Sequence, residues 1–312
     1  MELAADILAG KTRAIARGLS MAEDDSPEKE SLIDALHDYT GHAAVWGLTG
    51  PPGAGKSTLA DRLIQKEREA GKTVAVIAVD PSSPFTGGAL LGDRLRMQAH
   101  AVDPGVFIRS MASRGHLGGI SSGTFDAVKI FDAAGFDTII IETIGVGQTE
   151  IEIIELSDIV VLVLVPGMGD EIQAMKAGVM EIGDVFVVNK QDKDGAERLK
   201  AEIEYVLMLK EQTDGNPAPG ILLTSARDNT GIEELYLHIN QLYRERFRNG
   251  ILRDRRKRRI KKEMDAILSR KIKVLIEKEL SNVWIEKVYN KEMKLYSFIN
   301  ETMADFERRN KN

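Results

Sequence analysis

The chain has 312 residues, 43% of them apolar and 29% charged, with no cysteine. That length holds one large domain or two modest ones around a packed core, and the lack of cysteine excludes disulfides, thiolate zinc sites, iron–sulfur clusters and cysteine nucleophiles. The longest unbroken apolar run, Ile159 to Val165, is far short of the ~20 residues that cross a bilayer, and Glu2, Asp6, Lys11 and Arg13 stand where a signal peptide would be apolar, so a cytoplasmic protein with no membrane partner is expected.

The N-terminal stretch predicts two helices, one through Leu3, Ile7, Ile15 and Leu19, the other opened by Ser26-Pro27 as N-cap and first-turn pair before Leu32, Ile33 and Leu36. From Ala43 the rhythm changes. Seven short Val- and Ile-rich runs follow, AAVWGLT, TVAVIAV, VFIRSM, DTIIIE, IVVLVLV, DVFVVN and GILLTS. Runs apolar on both faces fit strands of a parallel sheet covered by helices on both sides. Helices are predicted between them over 57–69, 92–99, 123–134, 149–156, 171–181, 196–210 and 232–246. The alternation predicts an α/β fold with a doubly wound, mostly parallel sheet and a ligand at the C-terminal ends of the strands.

Gly50-Pro51-Pro52-Gly53-Ala54-Gly55-Lys56-Ser57 matches the phosphate-loop pattern G-x-x-x-x-G-K-[ST], between an apolar strand and the amphipathic helix predicted over 57–69, with Thr58 expected to join it in binding the nucleotide. There, glycines free successive N–H groups to wrap a phosphate at a helix N-terminus. Lys56 is expected to bridge the β- and γ-phosphates and the Ser57 hydroxyl to ligate Mg²⁺. Asn189-Lys190-Gln191-Asp192, directly after DVFVV, has the N-K-x-D form. A carboxylate at Asp192 accepts from both guanine N1–H and the 2-amino group, donors that adenine lacks, so GTP and GDP are the expected nucleotides. Asn189 is expected to position loop and purine edge, Lys190 to lie along the base, and the Ala226 N–H of Thr224-Ser225-Ala226 to reach O6.

Three acids suit Mg²⁺ and the γ-phosphate: Asp80 ending TVAVIAVD, Asp93 in GDRLRM and Glu142 ending DTIIIE. Two predicted strands separate Lys56 from Glu142, more than a Ras-like domain has. An acid ending the strand after the phosphate-loop helix suits the branch that includes signal-recognition GTPases and metallocentre chaperones. Glu142-Thr143-Ile144-Gly145 reads as a variant of D-x-x-G. Gln148 invites comparison with a water-orienting glutamine, although it lies three residues past Gly145.

Beyond Gly250 the composition shifts. Residues 251–312 contain 18 Lys and Arg against 10 Asp and Glu and no Gly or Pro, leaving 24 against 38 in the rest. The predicted division is an N-terminal helical extension over 1–42, a P-loop GTPase domain over 43–249 and a C-terminal helical region over 250–312. The run RDRRKRRIKK at 253–262 admits a nucleic-acid stripe. A helix face is the preferred reading, because Ile260, Met264, Leu268, Ile272, Ile276, Leu280 and Trp284 recur every four residues and need a partner helix. A homodimer through this arm is expected, without nucleic acid.

The phosphate loop together with VDPSSPFTGGALLGDRLRM, FIRSMASRGHLGG, ETIGVGQTE, PGMGDEIQAMKAG and NKQD resembles the MeaB/ArgK family, P-loop GTPase chaperones of adenosylcobalamin-dependent acyl-CoA mutases. The likeness runs from about Leu19 to Tyr243 and includes RAIARGLSMAE; the basic tail matches only in helical character. It implies phosphate and Mg²⁺ roles for Lys56, Ser57, Asp80, Asp93 and Glu142, and base recognition by Asn189 and Asp192. It also implies a further switch over 167–178, where Asp170, Gln173 and Lys176 are candidates to couple partner binding to hydrolysis. The implied function is a Mg²⁺-dependent GTPase gating cofactor delivery to a cobalamin-dependent mutase, with adenosylcobalamin reached only through that partner. No arginine finger lies in the phosphate loop; Arg94, Arg96 or Lys176 are candidates to move in. Two other readings stay open. A metallocentre-maturation GTPase of the hydrogenase or urease kind would need metal ligands, and His37, His42, His100, His116 and His238 lack ligand spacing. An ATP-dependent transport-linked kinase is opposed by NKQD.

Overall fold

The computed structural model describes residues 2–24, 26–80, 100, 102–112, 122–143, 156–167, 183–214, 219–279, 282–300 and 308. Helices α1 (Glu2–Leu8) and α2 (Thr12–Glu23) replace the single first helix expected, because Gly10 turns the chain at φ +71°, a conformation glycine adopts without strain. Helix α3 (Lys29–Leu36) starts later than Ser26-Pro27 predicts. Glu28 is its N-cap residue, and the Ser26 hydroxyl donates to the Glu28 carboxylate at 2.8 Å instead of capping the helix.

All seven expected strands form: β1 (Ala44–Thr49), β2 (Val74–Asp80), β3 (Val106–Ala112), β4 (Thr138–Thr143), β5 (Ile159–Leu164), β6 (Val185–Val188) and β7 (Gly220–Leu223). They make one all-parallel sheet in the order β3-β2-β4-β1-β5-β6-β7. Helices α4 (Lys56–Glu69), α5 (Ser122–Ala133), α6 (Ala196–Asp214) and α7 (Ile232–Arg248) lie between or after strands as the patterning predicts. The predicted helices at 92–99 and 171–181, and all of 149–156 except Leu156, fall outside the described residues.

Strand alternation sorts the core into two faces. Val45, Ala75, Ile77, Ile139 and Ile141 pack with α1, α2, α3 and α5, whereas Trp46, Leu48, Val76, Ile140, Val161 and Val163 pack with α4 and α7. Leu162, Leu164, Phe186 and Val188 meet α6. Each buried Val, Leu, Ile or Phe side chain among these contributes roughly 1.5–3 kcal/mol of transfer free energy. Strand β1 sits between β4 and β5, with β2 and β3 beyond β4 on one side and β6 and β7 beyond β5 on the other, so the chain crosses from one side of β1 to the other between β4 and β5. The C-terminal end of β1 is therefore the switch point at which open parallel sheets bind ligands.

The chain separates into two compact units, 1–259 and 260–312. In the first, the opening turns of α8 (Ile251–Glu279) turn arginines inward. Arg256 Nη2 and Nε meet the Asp158 carboxylate at 2.6 and 3.0 Å, and Arg255 meets Asp184 at 2.7 Å, both acids lying just before their strands. Burial works against the Arg256 charge, but the hydrogen bond and charge of Asp158 raise its pKa above the ordinary value. In the second unit, α9 (Asn282–Tyr289) precedes Lys291 at φ +61°. That left-handed residue interrupts the uninterrupted arm expected from a segment without Gly or Pro. Among the described residues no helix is long and apolar enough to cross a membrane.

Candidate active site

The loop between β1 and α4 is shaped by glycines at positions where a side chain would not fit. Gly50 has φ +138°, and a Cβ there would lie 2.1 Å from the Val163 carbonyl of β5. Gly55 has φ +89°, and a Cβ would lie 2.5 Å from Asn189 Nδ2. The Ala54 N–H closes a turn on Pro51 O at 3.2 Å, with Pro52 and Gly53 exposed at its tip. Helix α4 then begins with no side-chain cap. The first-turn N–H groups of an uncapped helix attract anions.

Lys56 is 5% exposed and curls back over the loop, its Nζ donating to Gly50 O at 2.6 Å and Pro51 O at 2.9 Å. A buried ammonium held by carbonyls at the mouth of such a loop is placed to meet phosphate oxygens. The Ser57 hydroxyl donates to Glu142 Oε1 at 2.5 Å, across from β4, which pairs with β1. Glu142 is 2% exposed. A buried hydroxyl beside a buried carboxylate is a pair of hard oxygen donors of the kind Mg²⁺ takes, so these two residues fit that ion. Asp80 ends β2 in register with Ala112, one residue beyond the Val79–Thr143 pairing, which sets its backbone at the same sheet edge.

The second half of the site rises from the ends of β6 and β7. Asn189 is buried and joins three segments: Nδ2 donates to Ala54 O at 2.8 Å, while Oδ1 accepts from Thr224 Oγ1 at 3.2 Å and the Ala226 N–H at 3.1 Å. Lys190 takes φ +59° and its Nζ donates to Gly53 O at 2.6 Å. Asp192 is exposed, and its Oδ1 accepts from Ser225 Oγ at 3.2 Å. The phosphate loop, the N-K-x-D loop and the Ser225-Ala226 turn thus meet at one end of the sheet. The Ala226 N–H, expected at O6, is engaged with Asn189 here. Arg62 of α4, which has no signature in the sequence, grips the Ser225-Ala226 turn from outside, donating to Ala226 O at 3.0 Å and Arg227 O at 3.3 Å.

Asp93, Gln148 and Lys176 lie outside the described residues, as do Arg94, Arg96, Asp170, Gln173 and His116. Among the described residues, no group of three or more His, Asp or Glu is arranged to hold a metal ion.

This geometry is joined by a direct likeness. The family model described as methylmalonyl-CoA mutase-associated GTPase MeaB matches residues 15–280. The chain belongs to the MeaB family. A Pyrococcus horikoshii protein named as a GTPase is 46% identical over 300 residues, covering 95% of each chain. Escherichia coli GTPase ArgK is 37% identical over 234 residues, 73% of this chain and 71% of its own. Among solved structures, that of a LAO/AO transport system kinase superposes with a TM-score of 0.70 over 98% of this chain and 97% of its own, at 24% identity, a likeness of fold. As a MeaB-family member the protein is a GTPase, and its substrate is GTP.

Proposed function

We propose that the protein is a Mg²⁺-dependent molecular switch of the cytoplasm whose nucleotide state is read by an adenosylcobalamin-dependent acyl-CoA mutase, gating cofactor delivery and protecting that enzyme. The observation that carries the switch reading is Asn189, whose single amide ties the phosphate loop to both base-reading loops. Occupancy at either end is then felt at the other. The mutase as partner is supported by the family's own description.

In this reading the uncapped start of α4 and the loop N–H groups hold the phosphates, and the Lys56 ammonium transfers from Gly50 O and Pro51 O to the β- and γ-phosphate oxygens. Ser57 and Glu142 hold Mg²⁺, with Asp80 and Asp93 as further ligands. The ion neutralises charge on the transferring phosphoryl group when bound. Asp192 accepts from guanine N1–H and the 2-amino group, and Lys190, fixed on Gly53 O, covers the base. Water alignment and any cation supplied at the transition state fall to Gln148, Lys176, Arg94 or Arg96. Positioning and charge neutralisation are most of what phosphoryl transfer needs, and because the phosphate loop carries no arginine finger to complete them, the protein alone is slow.

The C-terminal helices form a homodimer. Supporting this, Ile260, Met264, Leu268 and Ile272 lie along one row of α8 at 53%, 56%, 54% and 44% exposure, an apolar row that a second copy of the helix would cover.

Turnover of GTP with and without purified methylmalonyl-CoA mutase tests the partner. A stable complex and a rate change of tenfold or more are expected; no association and no rate change would remove the mutase from the account.

A further inference from the structure

A third brace on the base-reading loop comes from a residue that no nucleotide motif contains. Arg62 lies on α4, beyond Lys56 and Ser57. Its Nε donates to the Ala226 carbonyl at 3.0 Å and its Nη2 to the Arg227 carbonyl at 3.3 Å, while Nη1 reaches Gln65 Oε1 at 3.5 Å. A guanidinium carries its donors in one rigid plane. Holding two successive carbonyls therefore fixes the tilt of both peptides, which a flexible ammonium would not.

The orientation matters because of what sits on the other side of the peptide. The Ala226–Arg227 bond is trans, and in a planar trans peptide the N–H points opposite to the C=O. With the Ala226 carbonyl turned to Arg62, the Arg227 N–H is turned away from α4, and it has no partner among the described residues. The neighbouring Ala226 N–H is shared with Asn189 Oδ1 at 3.1 Å. The rest of the loop is closed. Ser225 and Thr230 exchange both backbone hydrogen bonds, at 3.0 and 3.1 Å, and Gly231 at φ +71° packs so tightly that a Cβ would lie 2.1 Å from Leu223 O. Simple attachment of α4 to α7 is supplied separately by Lys66 and Glu233 at 2.7 Å.

We infer that Arg62 is a positioning residue for the purine 6-substituent, aiming the Arg227 N–H at O6 beside Ala226 and coupling the phosphate-loop helix to base selection. This rests on the guanine reading of Asn189 and Asp192. It adds a residue whose removal weakens discrimination at one atom of the base and leaves the phosphates and the 2-amino contact in place.

The test is calorimetric titration of GDP, 6-thio-GDP and ADP, with Mg²⁺, into the full-length protein and its Arg62→Ala, Arg62→Gln and Arg62→Lys variants, with melting temperatures alongside. Sulfur is a poor acceptor, so wild type prefers GDP to 6-thio-GDP. That preference shrinks about three- to tenfold in Arg62→Ala and Arg62→Gln, the scale of one oriented hydrogen bond, and less in Arg62→Lys. ADP remains weak throughout. Equal weakening of GDP and 6-thio-GDP, or no change in either, overturns the role and leaves Arg62 a structural tie. If Arg62→Ala does not fold, the Gln and Lys variants give the ratio. Wild type binding ADP as tightly as GDP overturns the guanine reading itself, and the role of Arg62 with it.

Discussion

Replacing Asp158 with alanine removes the group on which the start of α8 is fixed. The carboxylate is fully buried, meets Arg256 at 2.6 and 3.0 Å and accepts the Val45 N–H at 3.1 Å. Deleting one partner of a buried pair costs about 3–5 kcal/mol, because the other charge is left without compensation. Arg256 keeps its bonds to Gly41 O and Ala43 O, and its side chain is 20% exposed, which places the cost at the lower end, about 3 kcal/mol. For a domain of this size that is a fall of about 6–12 °C in melting temperature, measured by circular dichroism or calorimetry without nucleotide. Asp158 lies just before β5, and six strand residues at roughly 3.3 Å each put it about 20 Å from the phosphate loop. GDP affinity below the transition should therefore stay within twofold of wild type. Pairing Asp158→Leu with Arg256→Met should restore part of the loss, because no charge is then stranded. A melting temperature within about 2 °C of wild type for Asp158→Ala would show that this carboxylate does not fix the start of α8, and a tenfold loss of GDP affinity would show that its effect is not confined to that end of the sheet.

Four further outcomes are expected. Gly55→Ala forces a side chain into a left-handed conformation, at about 1–2 kcal/mol, and into Asn189 Nδ2; GDP affinity by titration falls at least ~10-fold. Glu142→Gln raises the Mg²⁺ concentration for half-maximal GTP turnover roughly tenfold or more, while Mg²⁺-free GDP binding is unchanged. The hydrogen bond and charge of Arg68 hold Asp103 below its ordinary 3.8, so this pair's contribution is complete above that value and is lost as pH falls through the lower folded value; the melting difference between wild type and Asp103→Asn is level at neutral pH and closes in acid. Met264→Lys with Leu268→Lys converts a dimer to a monomer by light scattering, an expectation contradicted if wild type is already monomeric.

Both ends of the site could be read from the sequence because each is a short, contiguous piece of backbone chemistry. Gly50 and Gly55 combine a positive φ with a neighbour that leaves no room for a side chain, and the strands were legible because a sheet buried on both faces needs unbroken Val and Ile. Gly10 divides the first helix, which apolar spacing alone does not reveal, since Leu3, Ile7, Ile15 and Leu19 keep one face across the turn. Lys291 ends a helical stretch with neither Gly nor Pro, so composition gives no sign of it. Arg62 and Arg256 act through partners more than 90 residues away. Their roles depend on how strands are ordered in the sheet, and in sequence each is one more basic residue on a helix.

In the proposed function the pocket joined by Asn189 reads a purine by hydrogen bonds to the carboxylate of Asp192. Titration of GDP and XDP, with Mg²⁺, into wild type and Asp192→Asn measures it directly, because an amide donor suits the C2 carbonyl of xanthine. Wild type is expected to favour GDP by at least about a hundredfold and the variant to reverse toward XDP. A variant that binds both as wild type does would contradict it.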